Sequence, residues 1–108
     1  MEQPAPRMLR LGLPTGSLQE ATLALFAKAG FEISGASRSY SPKTDDAELS
    51  VRLLRAQEIG RYVEAGFLDA GLTGLDWIEE NNSDVDVLCD LRFSKATANP
   101  ARWVVVVH

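Results

Sequence analysis

One cysteine, one histidine and two tryptophans in 108 residues leave this sequence short of the side chains that most often carry chemistry. A lone Cys89 excludes an internal disulfide framework and a thiolate metal cluster, and it fits a reducing compartment. It reads as a small buried residue. His108 is the last position and has no catalytic partner in view. Positive charge is not in excess either. Eleven Lys and Arg against 15 Asp and Glu give a net charge of −4, which argues against a nucleic-acid-binding surface but not against a local cationic pocket. No apolar run approaches the roughly 20 residues that span a bilayer. The opening MEQPAPR is polar, has two prolines and lacks the apolar core of a signal peptide, so residues 1–7 read as a flexible leader. These absences point to a cytoplasmic protein with neither nucleic-acid nor membrane partners.

What is present is a core. Forty-five per cent of the residues are apolar, enough for one packed domain. Residues 8–13 form a short apolar run bounded by Pro14 and predict a buried strand. Ser17 then opens a helix, with Glu20 three residues on as its capping-box partner. Leu18, Thr22, Leu25, Phe26 and Ala29 share one face of that helix at 3.6-residue spacing. Residues 31–33 suggest a second strand, followed by a polar stretch with the composition of a loop or irregular hairpin. Leu49, Val51 and Leu53 alternate with Ser50 and Arg52, the pattern of a half-buried strand. A helix is expected over 57–65, a strand over 68–72, a short helix over 75–80 and a strand over 85–88. The closing WVVVV reads as a buried strand, and Trp77 and Trp103 as core. Helices alternating with short strands define an α/β protein with an open, mainly parallel sheet and flanking helices.

Open α/β sheets bind ligands beyond the carboxyl ends of their strands. Three junctions have that form: PTGS after the first strand, RAQE after Leu54, and GLTGLD after Leu68. At PTGS, unpaired amides and the helix dipole suit an anion. An ordinary capped turn explains the same residues, since the stretch is neither a P-loop nor a dinucleotide fingerprint. Arg38 and Arg55 could clamp a polyphosphate bidentately, or could pair with Asp45, Asp46 or Glu58. Asp76 lies in a helix's first turn, where a carboxylate is favoured by the dipole alone. Asp69 stays open to a hydroxyl- or metal-facing role.

Taken in succession, LGLPTGSLQEATLALFAKAGF, then SRSY and a proline, then LLRAQEIGRYVEAGFLDAGLTGLDWI, a DL segment and RWVVVV resemble the opening of the ATP phosphoribosyltransferase family. The resemblance implies a magnesium-dependent reaction of ATP with phosphoribosyl pyrophosphate. Its products are N1-(5-phosphoribosyl)-ATP and pyrophosphate, the first step of histidine biosynthesis. It also implies a catalytic core of two lobes like those of type II periplasmic binding proteins. Residues 8–108 would be the first lobe, truncated before the second. The assembly expected is a homo-oligomer, with a separate regulatory subunit as an alternative.

By that similarity Arg38 and Arg55 are the catalytic cations, contacting substrate phosphates and stabilising the departing charge. Thr15, Gly16 and Ser17 would approach the nucleotide, and Asp69, Gly71, Thr73, Gly74 and Asp76 would line the cleft. No residue of this chain is assigned as a protein ligand to metal. Two departures stand out. Thr15 and Leu75 occupy positions where the family typically has lysine. The family's loop for the ribosyl 5-phosphate belongs to the second lobe, so the chain alone is expected to be inactive. The alternatives are a non-catalytic nucleotide-binding lobe, a degenerate paralogue, or a structural lobe dependent on a second polypeptide.

Overall fold

The computed structural model describes residues 8–35, 41–91 and 102–108; the leader at 1–7 and Arg38 lie outside the described residues. Alternating apolar side chains build the first two main strands, β1 (Leu9–Pro14) and β4 (Leu49–Leu54). They run parallel in unbroken register from Leu9↔Leu49 to Pro14↔Leu54. Between them come α1 (Gln19–Lys28), β2 (Ile33–Ser34) and β3 (Lys43–Thr44). After β4 follow α2 (Ala56–Glu64), β5 (Ala70–Gly74), α3 (Leu75–Asn81), β6 (Asp86–Leu91) and β7 (Trp103–Val107).

The main sheet has the order β4-β1-β5-β7-β6. β5 runs parallel to β1, while β7 is antiparallel to both β5 and β6. The sheet is therefore mainly parallel with one reversed strand inside it. One face carries Leu11, Leu13, Val51, Leu53 and Leu72, with Leu23 and Phe26 of α1 packed against them. The other face holds Ile59 and Val63 of α2 and Ile78 of α3 against Val104 and Val106. The WVVVV segment divides accordingly: Val104 and Val106 are fully buried, and the residues between them are half-buried.

The close seating of α2 explains a glycine assigned above to the ligand cleft. Gly71 lies in mid-strand opposite Gly12, and a Cβ on it would overlap Cγ2 of Ile59. A Cβ on Gly12 would sit 2.5 Å from Cδ1 of Leu68. Gly71 lets α2 approach the sheet and Gly12 makes room for Leu68, so both serve packing.

Several sequence expectations change. The first helical turn is 3-10 over Gly16–Leu18, and α1 begins at Gln19 with Leu18 as its N-cap and no side-chain cap bond. Ser17, expected to open the helix, lies inside the 3-10 turn instead. Leu25, expected on the inner face, is exposed, whereas Leu23 packs inward. The second strand forms only at Ile33–Ser34 and pairs with Lys43–Thr44 in a separate two-stranded sheet, the hairpin alternative for that stretch. Thr44 ties it toward β4 by donating its hydroxyl to the Asp46 carbonyl (2.8 Å). β5 starts two residues later than expected, because the Leu68 amide bonds the Tyr62 carbonyl (3.2 Å) at the end of α2. Cys89 is exposed rather than buried, since β6 is an edge strand with β7 as its one strand neighbour. Trp77 is 40 % exposed, so it is not a core residue.

Thr22 of α1 is completely buried, and its Oγ1 has no hydrogen-bond partner among the described residues. An unsatisfied buried hydroxyl costs about 1–3 kcal/mol. Thr22→Val, nearly the same shape without the polar atom, is expected to leave stability unchanged or raise it in urea unfolding. A clear loss would mean that the hydroxyl finds a partner in solution.

Candidate functional site

The parallel register of β4, β1 and β5 brings three junctions to one edge of the sheet: the bend at 15–17, Arg55 before α2, and Gly74 before α3. The first two are physically joined. The Thr15 amide donates to the Leu54 carbonyl at 2.9 Å, so the bend after β1 is pinned beside the end of β4. Thr15 is extended (φ −85°, ψ 176°), and Gly16 takes φ +88° to turn the chain into the 3-10 turn. That left-handed conformation is cheap for glycine and strained for other residues. Space around Gly16 is open on its Cβ side, with no atom within 4 Å. Amides in such a first turn have no carbonyl ahead of them and are available to an anion.

A hollow of about 520 Å³ lies at this junction, bounded by Thr15, Ser41, Leu53, Leu54, Arg55, Arg52 and Glu58. Arg55 is the N-cap residue of α2, in an extended conformation that starts the helix at Ala56. Its carbonyl accepts from the Glu58 amide at 2.9 Å. Among the described residues the ion pairs are Arg10–Asp69 and Arg102–Asp90, so the Arg55 guanidinium is not held by an acidic neighbour. Asp45 and Asp46, considered above as its partners, instead accept from the amides of Glu32 (3.0 Å) and Glu48 (2.9 Å).

The other predicted residues divide. Asp69 precedes β5 and therefore sits at the opposite, amino edge, about 16 Å along the strand from Gly74. Its carboxylate accepts from the backbone amide, Nε and Nη2 of Arg10 (2.8, 3.2 and 3.0 Å). That bidentate pair pushes the Arg10 pKa further up, first through the hydrogen bond and then through the charge of Asp69. Asp69 and Gly71 are thus not brought to the cleft edge. Asp69→Asn in the full-length protein is expected to leave kcat/KM within about twofold of the parent, because Asp69 stands at the amino edge with Arg10, away from the hollow at Arg55.

Thr73 is fully buried and donates its hydroxyl to the Ala56 carbonyl (2.6 Å), fastening β5 to the start of α2. It supports the cleft from behind. Gly74 pairs with Trp103 across the sheet, and the Leu75 amide that follows is bonded to the Arg102 carbonyl at 2.9 Å. Asp76 is exposed in the first turn of α3. These two share the cleft edge but do not line the hollow at Arg55. Leu75 packs partly buried against the α2/α3 core.

Sequence reasoning missed Ser41, Arg52 and Glu58. Arg52 reads as the exposed phase of an alternating strand, and Glu58 reads as a salt-bridge partner for Arg55. For Arg52 and Glu58, spacings of three on either side of the strand-to-helix corner at Arg55 are the signal that could have found them; Ser41, distant in sequence, has no such signal.

An open, mainly parallel sheet with helices on both faces and its cleft at the strands' carboxyl edge is the architecture of a type II periplasmic-binding-like lobe. The comparisons are specific. The family model described as HisG: ATP phosphoribosyltransferase matches residues 55–108, which is 54 of the 108 residues. An ATP phosphoribosyltransferase of Desulfosudis oleivorans is 58% identical over 101 residues, covering 94% of this chain and 35% of the relative. One of Pelotomaculum thermopropionicum is 62% identical over 99 residues, covering 92% and 34%. In solved structures, a chain of the ATP phosphoribosyl transferase (HisG:HisZ) complex of Thermotoga maritima superposes with a TM-score of 0.67 at 21% identity, covering 79% of this chain and 41% of that one. The chain belongs to the ATP phosphoribosyltransferase family. It spans about a third of the length of the curated relatives it matches.

Proposed function

We propose that this chain forms half of the substrate cleft of an enzyme that joins ATP to phosphoribosyl pyrophosphate, the first step of histidine biosynthesis. The reading is carried by one observation: Thr15, which opens the bend after β1, and Arg55, which makes no ion pair among the described residues, border the same hollow. In the reaction, N1 of the adenine forms a bond to the ribosyl anomeric carbon as the carbon–oxygen bond to pyrophosphate breaks. The electron pair leaves on pyrophosphate. Such a displacement needs the leaving group's charge met and the two reactants aligned. Arg55 meets phosphate charge, Arg52 adds a second cation at the rim, and the Gly16 and Ser17 amides with the Thr15 hydroxyl orient phosphate oxygens. Gly74 and Asp76 mark the continuation of the cleft along its edge. Arg38, outside the described residues, is retained as the second catalytic cation on family resemblance alone.

Magnesium is part of the proposed reaction, but these residues do not build a site for it. Among the described residues no three potential ligands cluster, and Glu58 is the one carboxylate on the hollow's wall. The ion is proposed to arrive with the substrates' phosphates, as magnesium commonly does. No helix of the described residues is long and apolar enough to cross a membrane. We further expect a cytoplasmic homo-oligomer. The Thermotoga neighbour was solved as a HisG:HisZ complex, which supports considering a separate regulatory subunit.

The test is pyrophosphate release from ATP and phosphoribosyl pyrophosphate by the full-length protein. Release dependent on both substrates is expected. Binding of ATP without any turnover would favour the non-catalytic lobe. The isolated 108-residue chain is expected to show no release.

A further inference from the structure

The amino side of the sheet carries a second concavity, of about 460 Å³, lined by Arg10, Ser50, Arg52, Tyr62, Phe67 and Leu68. Its floor is the end of α2 and the turn after it, where the Phe67 amide bonds the Tyr62 carbonyl at 2.9 Å. This turn brings the two rings together, with centroids 6.0 Å apart and planes at 59°. Phe67 is 68 % exposed, the most exposed large apolar side chain among the described residues. A phenyl ring held against a tyrosine but open to water offers a face for a third ring in the preferred offset or edge-on geometry.

Two arginines also line it. Arg10 is fixed in place by its bidentate pair with Asp69. Arg52 makes no ion pair among the described residues. Its position on β4 gives it access both to this concavity and to the hollow at Arg55. Ser50, two residues earlier on the same strand, adds a hydroxyl. The volume falls in the range of small-molecule sites rather than flat protein interfaces.

We propose that this concavity binds a small aromatic anion, a planar ring carrying a carboxylate or a phosphate. The ring lies against Phe67 and Tyr62 and the anionic group meets Arg52. This assignment does not rest on the reaction proposed above: of the residues lining the two concavities, Arg52 alone is shared.

The experiment is NMR titration of full-length protein carrying labelled Phe and Tyr. Phenyl phosphate and phenylacetate are the probes, with inorganic phosphate as control. Saturable shifts of the Phe67 and Tyr62 ring signals are expected with at least one aromatic probe, and the stronger of the two identifies the anionic group. Phe67→Ala should weaken that probe at least about tenfold while leaving pyrophosphate binding intact. Its exposure makes this variant safe for folding. Arg52→Gln should weaken the probe similarly, and Arg55→Ala should not. The proposal is overturned if neither aromatic probe saturates, if inorganic phosphate reproduces the shifts at the same midpoint, or if probe binding survives Phe67→Ala but is lost in Arg55→Ala.

Discussion

Arg55→Ala in the full-length protein is expected to lower kcat/KM by at least about tenfold, equivalent to about 1.4 kcal/mol of transition-state stabilisation. The size follows from what the side chain faces. A guanidinium with no acidic partner among the described residues keeps its donors for a substrate, and charge-assisted bonds to phosphate oxygens are among the stronger ones available to a protein. If Arg55 stabilises the departing pyrophosphate more than bound substrate, kcat falls; if it binds both equally, KM rises instead. Arg55→Lys separates charge from geometry, because lysine retains the charge but loses the fork. Steady-state kinetics on folded variants provide the readout, and unchanged constants in the alanine variant remove Arg55 from the site.

Gly71→Ala is expected to destabilise the protein by about 1–3 kcal/mol, the usual cost of forcing an extra carbon into a packed core. The added methyl would overlap Cγ2 of Ile59, a residue with no solvent exposure that cannot step aside without disturbing Val63 and the sheet beneath. The effect should appear as a lower thermal midpoint. In a variant that still folds, KM for ATP should stay close to the parent value. A large KM change with an unchanged midpoint would return Gly71 to the ligand cleft.

These two residues mark what the chain's own chemistry makes legible. The strand at 49–54 is readable because it is an edge strand with one face buried, and its alternation survives in the side chains. The strand-to-helix corner at Arg55 is readable because a helical period begins directly after it. Gly71 is misread for a physical reason: glycine is demanded equally by a ligand's approach and by a helix's approach, and only the partner surface distinguishes them. Asp69 is misread because it stands at the start of β5 rather than at its end, which puts it at the amino edge beside Arg10. The exposure of Cys89 follows from strand order. β7 enters the sheet between β5 and β6, an arrangement that local periodicity does not encode.

The neighbour relation of β1 and β4 has a kinetic consequence. Each residue of β1 meets its β4 partner 40 positions later, as Leu9 meets Leu49, so a long loop must close before either wall of the hollow has its counterpart. Topologies dominated by such distant pairings fold slowly. The cradle at Thr15 and Arg55 thus arises together with the sheet and has no earlier, partial form. A polyanion that recognises it engages the native chain alone, and its presence should shift the folding equilibrium by mass action.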